Sequence, residues 1–398
     1  MITLDFPDWS VWIGNREPVF DISKADFCNR LASLLPDDKE KYSNVGIIVS
    51  DKTRLCGYPL YLPWVAETLI KKGARKNAIT FYIAYGTHPK QSEEESLQSY
   101  GGTYKEFRFV HHDCYDDAAM INLGRTTRGT DALIRGDVLQ SSLLLTFGAI
   151  SHHYFAGYGG GRKLLFPGLA ARKSIYQNHS LFLDRKGRCL EKYCQPGQLE
   201  NNPLAEDLLE IDKLTPPKIS IHGILNSKGE VCKLLTGIDY NDFLTACREH
   251  DSYYRSGNDQ KFDLVIASGG GYPKDINFIQ AHKAVHHAAA FVKDGGRLIM
   301  LSECIDGIAS NYFLKFLEAG GFENAYAMLE ENYEGNGGTA LSMMTKTQRI
   351  NIFMLTSLDE NLCKLLGVVK INESEMQQLV LNEKGSMAVI RNASMVIR

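Results

Sequence analysis

Val45-Gly46-Ile47-Ile48-Val49-Ser50 runs directly into Asp51-Lys52-Thr53-Arg54. The first six residues are small or apolar, rich in β-branched side chains and without polar alternation. That pattern is a strand buried on both faces, the habit of parallel sheets. Similar runs stand at 78–84, 107–110, 142–147, 219–225, 262–267, 297–301 and 350–355, and helical patterns fall between them at 61–72, 280–292 and 311–319. The alternation predicts an α/β fold with largely parallel or mixed sheets. A polar stretch at 249–261, containing Ser256-Gly257-Asn258-Asp259, separates an N-terminal α/β domain at 1–258 from a C-terminal one at 259–398. Ligands of such folds bind beyond the carboxyl ends of strands or between domains, so the active site is expected in the interdomain cleft.

With 398 residues the chain is long enough for two domains, and 44% hydrophobic with 23% charged content suits buried cores of ordinary size. A net charge of −3 offers no general attraction to nucleic acid or an anionic membrane. No run of about 20 apolar residues is present, so no membrane-spanning helix is expected. The opening, Met1 to Asp8, is acidic and lacks the basic and apolar regions of a secretory leader. Nine scattered cysteines point to reduced thiols and a cytoplasmic location. Cys189 and Cys194 are the closest pair, and no second pair answers them as a structural zinc site would require.

Several predicted strands end in chemically able residues. Asp51 and Arg54 pair a carboxylate, able to orient a histidine, with a guanidinium able to grip a substrate carboxylate. The next strand leads into Gly86-Thr87-His88-Pro89, and histidine is the side chain best suited to proton transfer near neutral pH. Parallel pairing of the two strands would put Asp51, Arg54 and His88 on one edge. His111-His112-Asp113 looks like a ligand cluster, but neighbours on a strand face opposite ways, which favours a structural role. The richest segment is Ser151-His152-His153-Tyr154-Phe155-Ala156-Gly157-Tyr158-Gly159-Gly160-Gly161-Arg162-Lys163, followed by Pro167-Gly168 and Asn178-His179. Gly159, Gly160 and Gly161 suit a backbone that approaches a ligand closely and donates amides to an anion. The turn is neither a Walker loop, since Leu164 follows Lys163, nor a dinucleotide fingerprint, since Arg162 replaces its third glycine. In the second domain Gly269-Gly270-Gly271 follows a strand, and Gln280 and Lys283 share a helix face. His286 and His287 read as helix surface or packing.

Taken together, these segments resemble the nickel-dependent lactate racemase family over essentially the whole chain and in the family's order. The resemblance implies a nickel-pincer nucleotide joined covalently to Lys163, with His179 as the protein ligand to nickel. It makes His88 and His153 the paired acid/base residues; His153 is preferred to His152 because its spacing to Lys163 matches the family. Arg54, Gln280 and Lys283 would hold the substrate, and Asp51 would orient the catalytic apparatus. Family enzymes invert a 2-hydroxy acid by moving hydride to and from the cofactor, because the carboxylate opposes a carbanion. A histidine on each side of the substrate then serves one enantiomer each, a proton transfer worth about 10²–10⁴-fold. Dedicated maturation proteins supply the cofactor, so they are implied partners.

Two departures from the family pattern concern the substrate. Leu55 follows Arg54 where proline is frequent, and Trp9, Trp12 and Trp64 are all N-terminal, leaving no tryptophan in the C-terminal domain. The second departure implies room for a 2-hydroxy acid larger than lactate, such as a sugar acid. The rival readings are a zinc hydrolase, which needs three protein ligands and leaves Lys163 idle, and a non-catalytic small-acid or nucleotide sensor, which needs no paired histidines.

Overall fold

The structure is a computed structural model that describes residues 6–272, 274–309 and 311–398. The reading of the opening segment therefore falls mostly on residues 1–5, outside the described residues. The chain divides into two compact units, one of residues 17–181 with 198–252, the other of 1–16 with 182–197 and 253–398. Each is an α/β layer structure around one six-stranded sheet.

In the first unit the strand order is Val231–Gly237, Ile219–Leu225, Leu143–Ala149, Val45–Ser50, Ile79–Ala84, Arg108–His111. All pairings are parallel except that of Val231–Gly237, which closes one edge antiparallel to Ile219–Leu225. Every residue of Val45–Ser50 is buried, as its unbroken apolar pattern required. Ile47, Val49, Phe81, Phe147 and Ile221 meet Phe27 and Leu62 from the covering helices. Each such side chain contributes about 1.5–3 kcal/mol on burial. The helix Tyr58–Lys72 has proline in its first turn and stops at Gly73, whose positive φ of 118° suits a residue without Cβ.

The second unit's sheet runs Val11–Ile13, Met387–Ile390, Phe262–Ser268, Val292–Leu301, Asn351–Leu355, Val369–Lys370, parallel throughout. Its core includes Ala284, Val285 and Ala288, the apolar side expected for the predicted helix, which spans Phe278–Ala289, and also Phe291, expected on that helix but lying just beyond its end.

A single boundary after residue 258 does not describe this arrangement. Val11–Ile13 leaves the N-terminal stretch to become the edge strand beside Met387–Ile390. The hairpin of Leu183–Asp184 and Cys189–Leu190 also belongs to the second unit, where the Tyr326 hydroxyl donates to the Asp184 carbonyl at 2.9 Å. Pairings this short carry no periodicity to read, so they could not move the predicted boundary. Among the described residues no helix is long and apolar enough to cross a membrane, and all nine cysteines are free thiols.

Candidate active site

Leu143–Ala149, Val45–Ser50 and Ile79–Ala84 are neighbouring parallel strands, so the loops after all three leave one sheet edge. Chain order reverses there: strands after Val45–Ser50 are added on one side, and Leu143–Ala149 later takes the other. Such a switch point opens a crevice at the carboxyl ends, where open α/β sheets take ligands.

Asp51 begins the loop at this point and divides its carboxylate. One oxygen, Oδ1, accepts from the Thr53 amide at 2.9 Å and the Thr53 hydroxyl at 2.6 Å. The other, Oδ2, accepts from His88 Nδ1 at 2.6 Å. Burial alone would push the Asp51 carboxyl up, but the hydrogen bond and charge of His88, with Thr53 and Arg54, outweigh it and hold the carboxyl below its usual range. With its proton on Nδ1, a neutral His88 keeps a lone pair on Nε2 for accepting a proton. The ring is 42% exposed, open to a ligand while its partner is buried. Arg54 is exposed in the same short turn, and Lys52 pairs outward with Glu95.

The His88 loop is stitched to the turn that carries Lys163. The Gly86 amide donates to the Gly168 carbonyl at 2.9 Å, and the Gly168 amide donates to the Lys163 carbonyl at 3.1 Å. A Cβ on Gly168 would collide with the Leu164 carbonyl, which explains a glycine after Pro167.

The glycine-rich segment is a hairpin, Ser151–His153 against Gly157–Gly159, followed by a 3₁₀ turn over Gly161–Leu164. Its glycines are used first by the chain itself. Gly160 has φ 77° and a Cβ there would strike the Ala149 carbonyl; at Gly161 a Cβ would stand 2.6 Å from the Phe243 ring. The bare backbone expected to cradle a ligand is thus required by packing at these two positions. The pleat also separates the doubled histidine. His152 turns to Asp251, with Nε2 donating to Oδ1 at 2.7 Å. The His153 ring lies 4.6 Å from the Phe155 ring, and its Nδ1 accepts from the Ala156 amide at 3.3 Å, which puts the proton of the neutral ring on Nε2.

Phe155 gathers three of the expected site residues. Besides His153, it lies edge-on to the His179 ring at 5.1 Å, and Lys163 Nζ is 5.8 Å from its centroid. Burial, then the charge of Lys163, pushes the His179 imidazole down to about 3. His179 is therefore neutral across the physiological range, with a nitrogen lone pair free of competition from protons. A neutral imidazole is a donor suited to borderline divalent metals such as nickel or zinc, and the Lys163 amine shares the same Phe155 ring. Among the described residues no three of His, Cys, Asp and Glu come together to hold a metal ion, so a three-ligand zinc centre has no donor set there.

Gln280 and Lys283 belong to the second unit, where Lys283 Nζ donates to Gln280 Oε1 at 2.7 Å and Asn277 caps their helix. His287 is buried against the Ala393 carbonyl at 2.9 Å, a packing role. His111 meets a tyrosine hydroxyl at each ring nitrogen, Tyr85 at 2.8 Å and Tyr104 at 3.0 Å, and His112 is buried on the Ala170 carbonyl, so both are structural. Sequence reasoning missed Phe155 and Asp251. Phe155 stands two residues beyond His153 inside the quoted segment and was findable; Asp251, in a distant polar stretch, carried no signal.

Residues 29–189 match the lactate racemase N-terminal domain and residues 258–339 the lactate racemase C-terminal domain. The chain is 31% identical to a lactate racemase of Thermoanaerobacterium thermosaccharolyticum over 71% of its own length and 65% of the relative's. It is 29% identical to the lactate racemase of Lactiplantibacillus plantarum over 66% of its length and 61% of the relative's. The matched stretch thus spans under two thirds of either relative. The solved structure of the Thermoanaerobacterium lactate racemase apoprotein superposes with a TM-score of 0.87, covering 99% of this chain and 96% of that one at 24% identity, a likeness of fold. By its N- and C-terminal domains alike, the chain belongs to the lactate racemase family.

Proposed function

We propose that this chain is a racemase or epimerase inverting C2 of a 2-hydroxy acid, with a nickel-pincer nucleotide tethered at Lys163 and ligated by His179. The observation that carries this reading is one sheet edge on which the loop of a carboxylate-backed histidine is tied, through Gly86 and Gly168, to the backbone of Lys163. When bound, the cofactor would supply a hydride acceptor and donor. His88 takes the substrate's hydroxyl proton at Nε2, and Asp51 holds the ring's tautomer and balances the charge that develops on it. His153 is the opposed acid/base residue for the other enantiomer. Arg54 takes the substrate carboxylate, and the resemblance assigns Gln280 and Lys283 to substrate binding as well. Residues 259–398 contain no tryptophan, although Trp9 and Trp12 join the same unit through its edge strand, and that lack favours a 2-hydroxy acid larger than lactate, such as a sugar acid. A cytoplasmic location and dependence on cofactor-maturation proteins belong to the same reading.

The test is intact-mass analysis of protein co-produced with those maturation proteins, with nickel measured in parallel. A mass increase lost in Lys163→Ala, with nickel bound in proportion, is expected. Stoichiometric zinc with no adduct at Lys163 would overturn the proposal. Chiral assays on lactate, malate and C4–C6 aldonates then settle the substrate class, and activity confined to lactate would end the larger-substrate idea.

A further inference from the structure

The hairpin carrying His153 is too small to hold its own shape, since two short strands are marginal in water. Its register is Ser151 opposite Gly159, His152 opposite Tyr158 and His153 opposite Gly157. His152 and Tyr158 are direct cross-strand partners, so they share one face, and His153 faces the other way. On the shared face stands Asp251, from the helix Tyr240–Tyr254. Its Oδ1 accepts from His152 Nε2 at 2.7 Å and its Oδ2 accepts from the Tyr158 hydroxyl at 2.7 Å. One carboxylate thus holds both strands of the hairpin, one oxygen to each. The buried His250 ring, 4.6 Å from His152 and edge-on to it, closes the same face.

That helix also holds the far end of the segment. Its Phe243 ring lies 4.9 Å from the Arg162 guanidinium and against Gly161, and Arg162 immediately precedes Lys163. Asp251 fixes the end at His153 and Phe243 the end at Lys163, so one rigid element spans both anchor points. We infer that Asp251 is a positioning residue: by clamping His152 and Tyr158 it sets where the His153 imidazole stands relative to Lys163. This rests on His153 being an acid/base residue of the proposed racemase.

The test uses the full chain with Asp251→Ala, Asp251→Asn and Tyr158→Phe. In cofactor-free protein, the ¹⁵N signals of the His153 and His88 rings, assigned through His153→Gln and His88→Gln, report each imidazole separately. Asp251→Ala is expected to shift and broaden the His153 signals and leave those of His88 in place. In loaded enzyme it should lower kcat by about 10²-fold with KM within about twofold, as for a small misplacement of a reacting group. Asp251→Asn, which keeps one acceptor oxygen, should recover part of the loss. Tyr158→Phe removes one of the two bonds, should cost about tenfold on the same reasoning, and keeps the test alive if Asp251→Ala does not fold. Unchanged His153 signals in the folded variants would overturn the inference, as would His153 and His88 signals moving together with a falling Tm. If His153→Ala keeps full racemase activity, the role given to His153 fails instead, and the ring spectra still decide what Asp251 does.

Discussion

The carboxylate of Asp51 gives one oxygen to Thr53 and the other to His88, so a residue at a strand end becomes the hydrogen-bond partner of an imidazole 37 positions later. Asp51→Asn keeps the shape but removes the charge that fixes the His88 tautomer. Turnover of loaded enzyme should fall by about 10²–10⁴-fold with little change in KM, measured by chiral assay. An unchanged rate would remove Asp51 from the mechanism. Arg54 and His88 could be singled out from their place after strands, whereas the choice between His152 and His153 had no physical basis in the sequence. The pleat only separates the two, turning one ring to Asp251 and the other to Phe155.

Among the elements, the turn beneath Lys163 depends on glycine at particular positions. Gly160→Ala forces a Cβ into the Ala149 carbonyl at φ 77°, and should destabilise the chain by about 2–4 kcal/mol in urea unfolding. Gly159→Ala meets the Ser151 hydroxyl at 3.0 Å and the Ser151 carbonyl only at 3.8 Å, and should cost under about 1 kcal/mol. In the second unit the helix Gly337–Arg349 buries Lys346, whose ammonium donates to the Ser342 carbonyl at 2.8 Å and hydroxyl at 2.6 Å. No carboxylate pairs with it among the described residues. Burial, then the charge of Arg349, pushes the Lys346 amine down to about 7 from 10.5. The folded chain therefore resists this proton: the unfavourable contribution is full below pH 7 and fades as pH rises towards 10.5. Lys346→Met should raise stability at pH 7 by about 1–4 kcal/mol, as replacements of buried charges often do. The gain should shrink at pH 10, and denaturant curves at both pH values check it.

For the molecule as a whole, acid is the predicted weakness. Burial pushes His112 and His222 each down to about 4 from 6.5. Because the folded values lie below the unfolded one, the unfolded chain takes these protons first. The stability tied to the neutral rings is complete above pH 6.5 and is lost as pH falls towards 4, by about 3 kcal/mol for each ring. His222→Leu should flatten the fall of Tm between pH 6.5 and 4, and an equally steep fall would refute the assignment.

The sequence by itself determined the local and periodic features of this protein. All eight expected strands exist, from Val45–Ser50 to Asn351–Leu355, because a side chain's chemistry and spacing decide whether a short run can be buried on two faces. Sequence also placed Asp51 and His88 on one edge, since parallel strands send their following loops the same way. Tertiary structure alone decided the rest: which unit claims Val11–Ile13, which face of the hairpin His153 takes, and that a carboxylate at residue 251 supports it. Those outcomes depend on partners far away along the chain. Two hydrogen bonds to one carboxylate leave no periodic trace in the residues that make them.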